Sequence, residues 1–132
     1  MKERTNLTML CDFYELTMGN GYFQTGLSDR ICYFDIFFRS VPDKGGFAIA
    51  AGLAQVIEYI KKLRFDEDDL EYLRTKGCFA EEFLTYLRDF KFTGDIWAMP
   101  EGTPIFPGEP IMTVRAPAIQ AQFIETFLLL CL

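Results

Sequence analysis

Between Lys91 and Ala116, four prolines and three glycines interrupt the chain every few residues. A proline has no N–H to give to a helix or an inner sheet ladder, and its ring clashes with the preceding helical turn. No helix of useful length fits this stretch. Ile96 and Ala98, then Ile105, Ile111, Thr113 and Arg115, are left to form short strands joined by tight turns. The spacing predicts a compact β half.

The remaining segments read mostly as helix. CDFYELTMGNGYF, residues 11–23, begins with Asp12 and has Glu15 three positions later, the pattern of a capping box. Phe13, Leu16 and Phe23 share one helical stripe, and Tyr14, Met18 and Tyr22 make a second beside it. Gly19 and Gly21 are read as places where another backbone comes close. ICYFDIFFR, residues 31–39, is aromatic and branched on both faces, which predicts a central, covered strand. FAIAAG is a short strand running into a turn at Gly52.

Leu53, Val56, Ile57, Ile60 and Leu63 then follow helical spacing. DEDDLEYLRTKG starts a second helix on an acidic first turn, with Gly77 to cap its end. AEEFLTYLRDF buries Phe83, Leu84, Leu87 and Phe90. PAIQAQFIETFLLLCL puts Pro117 in the first turn of one helix that runs to the last residue. This order predicts an α+β domain over residues 1–132, with a mixed sheet, helices and a small sandwich-like β half.

Composition removes several functions. A net charge of −6, with no basic run longer than Lys61-Lys62, excludes a phosphate-backbone binder. Cysteines at 11, 32, 78 and 131 contain no close pair, so neither a zinc site nor a redox motif is spelled. There is no histidine, hence no imidazole base or ligand. The acidic run 66–69 lacks the ligand spacing of a calcium loop and reads as a helix start. Glu101 and Glu109 lie in Pro/Gly turns, as exposed carboxylates. The turn at Gly45–Phe47 is no phosphate cradle, because no helix follows it directly.

The last segment falls short of a membrane span, being interrupted by Gln120, Gln122 and Glu125. No leader precedes the first polar residues, so a cytoplasmic setting is expected. Twenty-one aromatic residues exceed what so small a core needs, which predicts that part of their surface meets another domain, subunit or flat ligand. The chain is most apolar where it stops, as though cut from something longer.

DFYELTM, FDIFFR, GGFAIAAGL and FTGDIWAMPEGTPIFPGEPIMTVRAP occur in this order between about Thr8 and Leu132. Together they resemble the N-terminal part of nicotinate phosphoribosyltransferases. The resemblance implies an enzyme that makes nicotinate mononucleotide from nicotinate and phosphoribosyl pyrophosphate, with ATP and Mg, on the salvage route to NAD. It implies an N-terminal domain of the nicotinate/quinolinate phosphoribosyltransferase type beside an irregular barrel that residues 1–132 do not contain. The expected assembly is a homodimer in which this domain faces the barrel mouth of the neighbouring subunit. No catalytic residue or metal ligand is expected in this segment, which alone should be inactive.

By the same resemblance, Tyr14 matches a tyrosine that stacks on the pyridine ring, and Arg39 an arginine that reaches toward substrate phosphate. Asp12 and Thr17 would orient Tyr14, Thr17 by bonding back to the preceding turn. From spacing alone, Tyr14 reads first as a packed member of its stripe, and Arg39 equally as a solvated cation or a partner of Asp43. Two alternatives stay open: a non-catalytic oligomerisation or binding module, and a nicotinamide or quinolinate phosphoribosyltransferase.

Overall fold

The computed structural model describes residues 6–132. The expectation that no leader precedes the polar start of the chain concerns residues 1–5, outside the described residues. In chain order the elements are α1 (Phe13–Gln24), β1 (Ile31–Ile36), β2 (Ala48–Ile49), α2 (Leu53–Lys62), α3 (Glu67–Thr75) and α4 (Glu81–Arg88). They continue with β3 (Asp95–Ala98), β4 (Pro104–Ile105), β5 (Met112–Pro117), α5 (Ala118–Phe123) and α6 (Glu125–Cys131). The α+β class stands.

The Pro/Gly-rich stretch does form short strands, and two of them, β3 and β5, pair with each other, while β5 and β4 also pair with strands from earlier in the chain. β5 is the middle of a three-stranded sheet ordered β1-β5-β3, and β4 pairs with β2. All these pairs are antiparallel, where a mixed sheet was expected. The β half is thus partly closed on itself and partly shared with β1 and β2. Met112, Val114 and Ala116 of β5 are buried on the inner face, while Thr113 and Arg115 point outward. That alternation is what the strand's pleat imposes on a sheet covered on one side.

β1 is an edge strand, which corrects the central placement. Its Tyr33 is 65% exposed and lies opposite Arg115, whose Nε donates to the phenol oxygen at 3.1 Å. Aromatic residues favour strands through their fit to a pleated surface as well as through burial, so two apolar faces did not require two covers.

The helices carry the core. Val56, Tyr59 and Leu63 around α2, Leu70 and Leu73 of α3, and Phe83, Leu84 and Leu87 of α4 meet the inner sheet face, α5 and α6. Ile57 is exposed, and Tyr59 holds the buried place, stacked on Phe127 with ring centroids 3.8 Å apart. The acidic run serves α3: Asp66 Oδ1 accepts from Asp69 N–H at 2.9 Å, and Asp69 Oδ2 from Asp66 N–H at 3.1 Å. Gly77, at φ +66, follows the last turn of α3 and donates its N–H to the Arg74 carbonyl.

The final segment is two helices instead of one. Pro117 ends β5 with extended angles, and the break falls at the buried Ile124, φ −87 and ψ −4. Side chains on either side of the break are spent on particular partners. Gln120 Oε1 accepts from Thr93 N–H at 2.7 Å, and Gln122 Nε2 donates to Glu125 at 2.8 Å. In α1 the expected close backbone approach is absent. Gly19 faces the side chains of Phe83 and Ile119, and Gly21 faces open space.

Candidate functional site

The first turn of α1 is built differently from the capping box expected there. Asp12 stands at the N-cap but makes no side-chain cap bond. Its backbone N–H donates to the Thr126 hydroxyl oxygen at 3.2 Å. Glu15 turns inward and is only 1% exposed. Its Oε1 accepts from the Thr126 N–H at 2.9 Å and from the Thr126 hydroxyl at 2.7 Å, while Oε2 is buried without a partner. Burial pushes the Glu15 carboxyl up to about 7, against the opposing pull of the Thr126 bonds; Glu125 and Asp12 add to the rise.

Tyr14, between Asp12 and Glu15, is 42% exposed. Desolvation first, and then hydrogen bonding to the Glu125 carboxylate, push its phenol up to about 12. The phenol therefore keeps its proton at neutral pH. It can present a ring face and donate a hydrogen bond, and it is no base. Thr17 donates its hydroxyl to the Tyr14 carbonyl at 3.1 Å, the expected back-bond. Glu125 also lines a cleft of ≈ 240 Å³ between β1 and the last two helices, together with Phe34, Ile36, Gln122 and Leu128.

Arg39 lies on the loop after β1, three residues past the strand end, and is exposed. The Gly108 N–H donates to the Phe38 carbonyl at 2.9 Å, which pins the loop just before it. Among the described residues, Arg39 makes no hydrogen bond or ion pair, so the pairing with Asp43 weighed from sequence is not formed. Asp12, Tyr14 and Thr17 thus share one stretch of helix, and Arg39 stands on a separate loop with no bond joining it to them.

Sequence reasoning missed three acidic groups. Glu15 was read as half of a capping box and Glu125 as a polar interruption; only their burial and contacts reveal more. Glu101, read as a free carboxylate in a turn, caps α2 from a distance: its Oε1 accepts from Gly52 N–H at 3.0 Å and Ala54 N–H at 3.2 Å. A carboxylate there satisfies two free donors and the helix dipole. Glu101→Ala is expected to lower stability by about 1 kcal/mol, and Glu101→Gln to recover part of it, as read from urea midpoints. Equal midpoints for all three proteins would deny the cap.

Among the described residues, no group of three His, Cys, Asp or Glu side chains could hold a metal ion. No helix among them is long and apolar enough to cross a membrane.

The fold resembles those of solved structures. Human nicotinic acid phosphoribosyltransferase superposes with a TM-score of 0.84 at 32% identity, over 91% of this chain and 25% of that one. Nicotinate-nucleotide pyrophosphorylase from Pyrococcus furiosus superposes at 0.65 with 18% identity, covering 100% of this chain and 26% of that one, a likeness of fold alone. The fold is that of a phosphoribosyltransferase N-terminal domain. The family model for the nicotinate phosphoribosyltransferase (NAPRTase) N-terminal domain matches residues 9–132, and the chain belongs to that family.

Among curated relatives, the nicotinate phosphoribosyltransferase pncB2 of Mycobacterium tuberculosis is 49% identical over 121 residues, 92% of this chain and 26% of the relative. The nicotinate phosphoribosyltransferase of Bacillus subtilis is 40% identical over 124 residues, 94% of this chain and 25% of the relative. The chain spans about a quarter of the length of the curated relatives it matches.

Proposed function

We propose that this chain is the pocket-completing N-terminal domain of a nicotinate phosphoribosyltransferase, acting in NAD salvage in the cytoplasm. The observation that carries the reading is the joint exposure of Tyr14 and Arg39, the first with its phenol against Glu125 and the second on a loop pinned just before it. Tyr14 offers a flat ring for the pyridine of nicotinate; stacking adds about 0.5–1.5 kcal/mol beyond the area buried. Arg39 offers a forked cation for the phosphates of phosphoribosyl pyrophosphate. Asp12 and Thr17 act through the backbone around Tyr14. The reacting groups lie on a barrel domain, and in a homodimer the barrel belongs to the neighbouring subunit. ATP and Mg are used by that whole enzyme.

The test joins this chain to the remaining three-quarters of the Bacillus subtilis relative and measures steady-state kinetics. Tyr14→Ala is expected to raise the nicotinate KM about tenfold, with Tyr14→Phe close to the parent, since about 1.4 kcal/mol is a factor of ten. Arg39→Ala is expected to raise the KM for phosphoribosyl pyrophosphate about ten- to a hundredfold, the range of a hydrogen bond to a charged group. Unchanged constants in both variants would remove the reading. A second reading has one observation in its favour: Leu130 on α6 is 66% exposed beside an exposed Leu129. Sedimentation showing a tight oligomer, together with no nicotinate binding, would favour a self-associating module.

A further inference from the structure

Residues 12–15 and 125–126 grip one another at several points. The Asp12 N–H and the Glu15 carboxylate both bond Thr126, from opposite ends of the turn that carries Tyr14. The residue next to Thr126 is Glu125, which meets the Tyr14 phenol. The contact lies just after the break at Ile124, in the first turn of α6. We propose that Glu15 is a positioning residue, which through Thr126 sets the pose of the exposed Tyr14 ring. This rests on the reading of Tyr14 as the ring that meets substrate.

The grip is also sensitive to protons. Glu15 is almost completely buried, its Oε2 has no partner, and its carboxyl titrates near neutrality. The groups that face it are Asp12 and Cys11 from the approach to α1, Glu125 from α6 and Tyr59 from α2; Asp69 of α3 and Cys131 of α6 lie beyond them. None of these is a cation. Cys11 is raised to about 12 and Tyr59 is raised by burial, so both stay neutral through pH 8. When Glu15 ionises, it does so against Asp12 and Glu125, and the mutual repulsion bears on the turn between them. The Tyr14 ring is then displaced relative to its low-pH position.

Tyrosine-ring 13C NMR of the 132-residue chain reads that position directly, with the Tyr14 resonance assigned by its absence in Tyr14→Phe. In the parent, this resonance is expected to shift with an inflection near pH 7. In Glu15→Gln, which keeps the acceptor oxygen, the inflection is expected to vanish with the low-pH position retained. Thr126→Val, which removes only the hydroxyl, is expected to move the resonance at every pH. A Tyr14 signal indifferent to pH in the parent, or to Thr126→Val in a folded protein, overturns the proposal. Nicotinate titrations on the same variants, each joined to the remaining three-quarters of the Bacillus subtilis relative, form the second arm. Several-fold weaker binding to Thr126→Val supports the link to substrate, and unchanged binding with a displaced ring overturns it. If no joined protein binds nicotinate, the substrate reading fails, and the ring shifts alone decide whether Glu15 positions Tyr14.

Discussion

Gly52→Ala is expected to lower the stability of this chain by about 4 kcal/mol. Gly52 has φ +96, and it begins α2 at the end of GGFAIAAG. A Cβ placed there would lie 2.0 Å from the carbonyl oxygen of Cys131 and 2.8 Å from its carbonyl carbon. Both are backbone atoms of α6 and cannot swing aside as a side-chain tip would. The left-handed angle costs about 1–2 kcal/mol for an alanine. Forcing α6 away adds about 1–3 kcal/mol, by the usual scale of overpacking. Against a total of about 5–15 kcal/mol for an ordinary domain, the loss is large.

Gly21→Ala provides the contrast. It sits inside α1, nothing lies within 4 Å of its added methyl, and a helix-interior alanine is favoured by about 0.5–1 kcal/mol. Urea unfolding should therefore show one midpoint falling steeply and the other holding or rising. Similar midpoints would mean that α2 and α6 do not meet at Gly52.

The second large effect is one of pH. Glu15 is raised from 4.5 to about 7 in the folded chain, so the native state holds a proton that the unfolded state has already released. Stability from this group is greatest below about pH 4.5, falls as pH rises from there to about 7, and is level above. The full shift corresponds to roughly 3 kcal/mol. Most of that range lies between pH 5 and pH 8, where a loss of about 2 kcal/mol is expected. Glu15→Gln should remove that part of the slope and be the more stable protein at pH 8. Chemical unfolding of both proteins at the two pH values checks it, and parallel slopes would show that Glu15 ionises freely.

Much of the helical layer was legible because its signal is local. Phe83, Leu84 and Leu87 of α4 repeat at helical spacing, and their burial follows from the period of the helix. Asp66 and Asp69 cap α3 within a span of four residues, and Gly77 closes it. Tyr14, Arg39, Asp12 and Thr17 were nameable from ordered motifs, with Thr17's back-bond readable from side-chain chemistry. The errors share a cause. β1 was placed at the centre because both its faces are apolar, yet a strand's neighbours are chosen by pairing with residues eighty positions away, as in Tyr33 opposite Arg115. Glu15 fitted a capping box by spacing, and lost that role to a threonine 111 residues later.

From its residues alone, this chain determined its helices, its α+β class and the motifs that place it in its family. These depend on propensity, period and turn chemistry within a few neighbours. Only the tertiary structure decided the strand order, the break at Ile124, the remote cap from Glu101 and the inward turn of Glu15. Each of those is a contact between distant segments, where a buried donor or carboxylate must find whatever partner the packed chain brings within reach. No local pattern names that partner in advance.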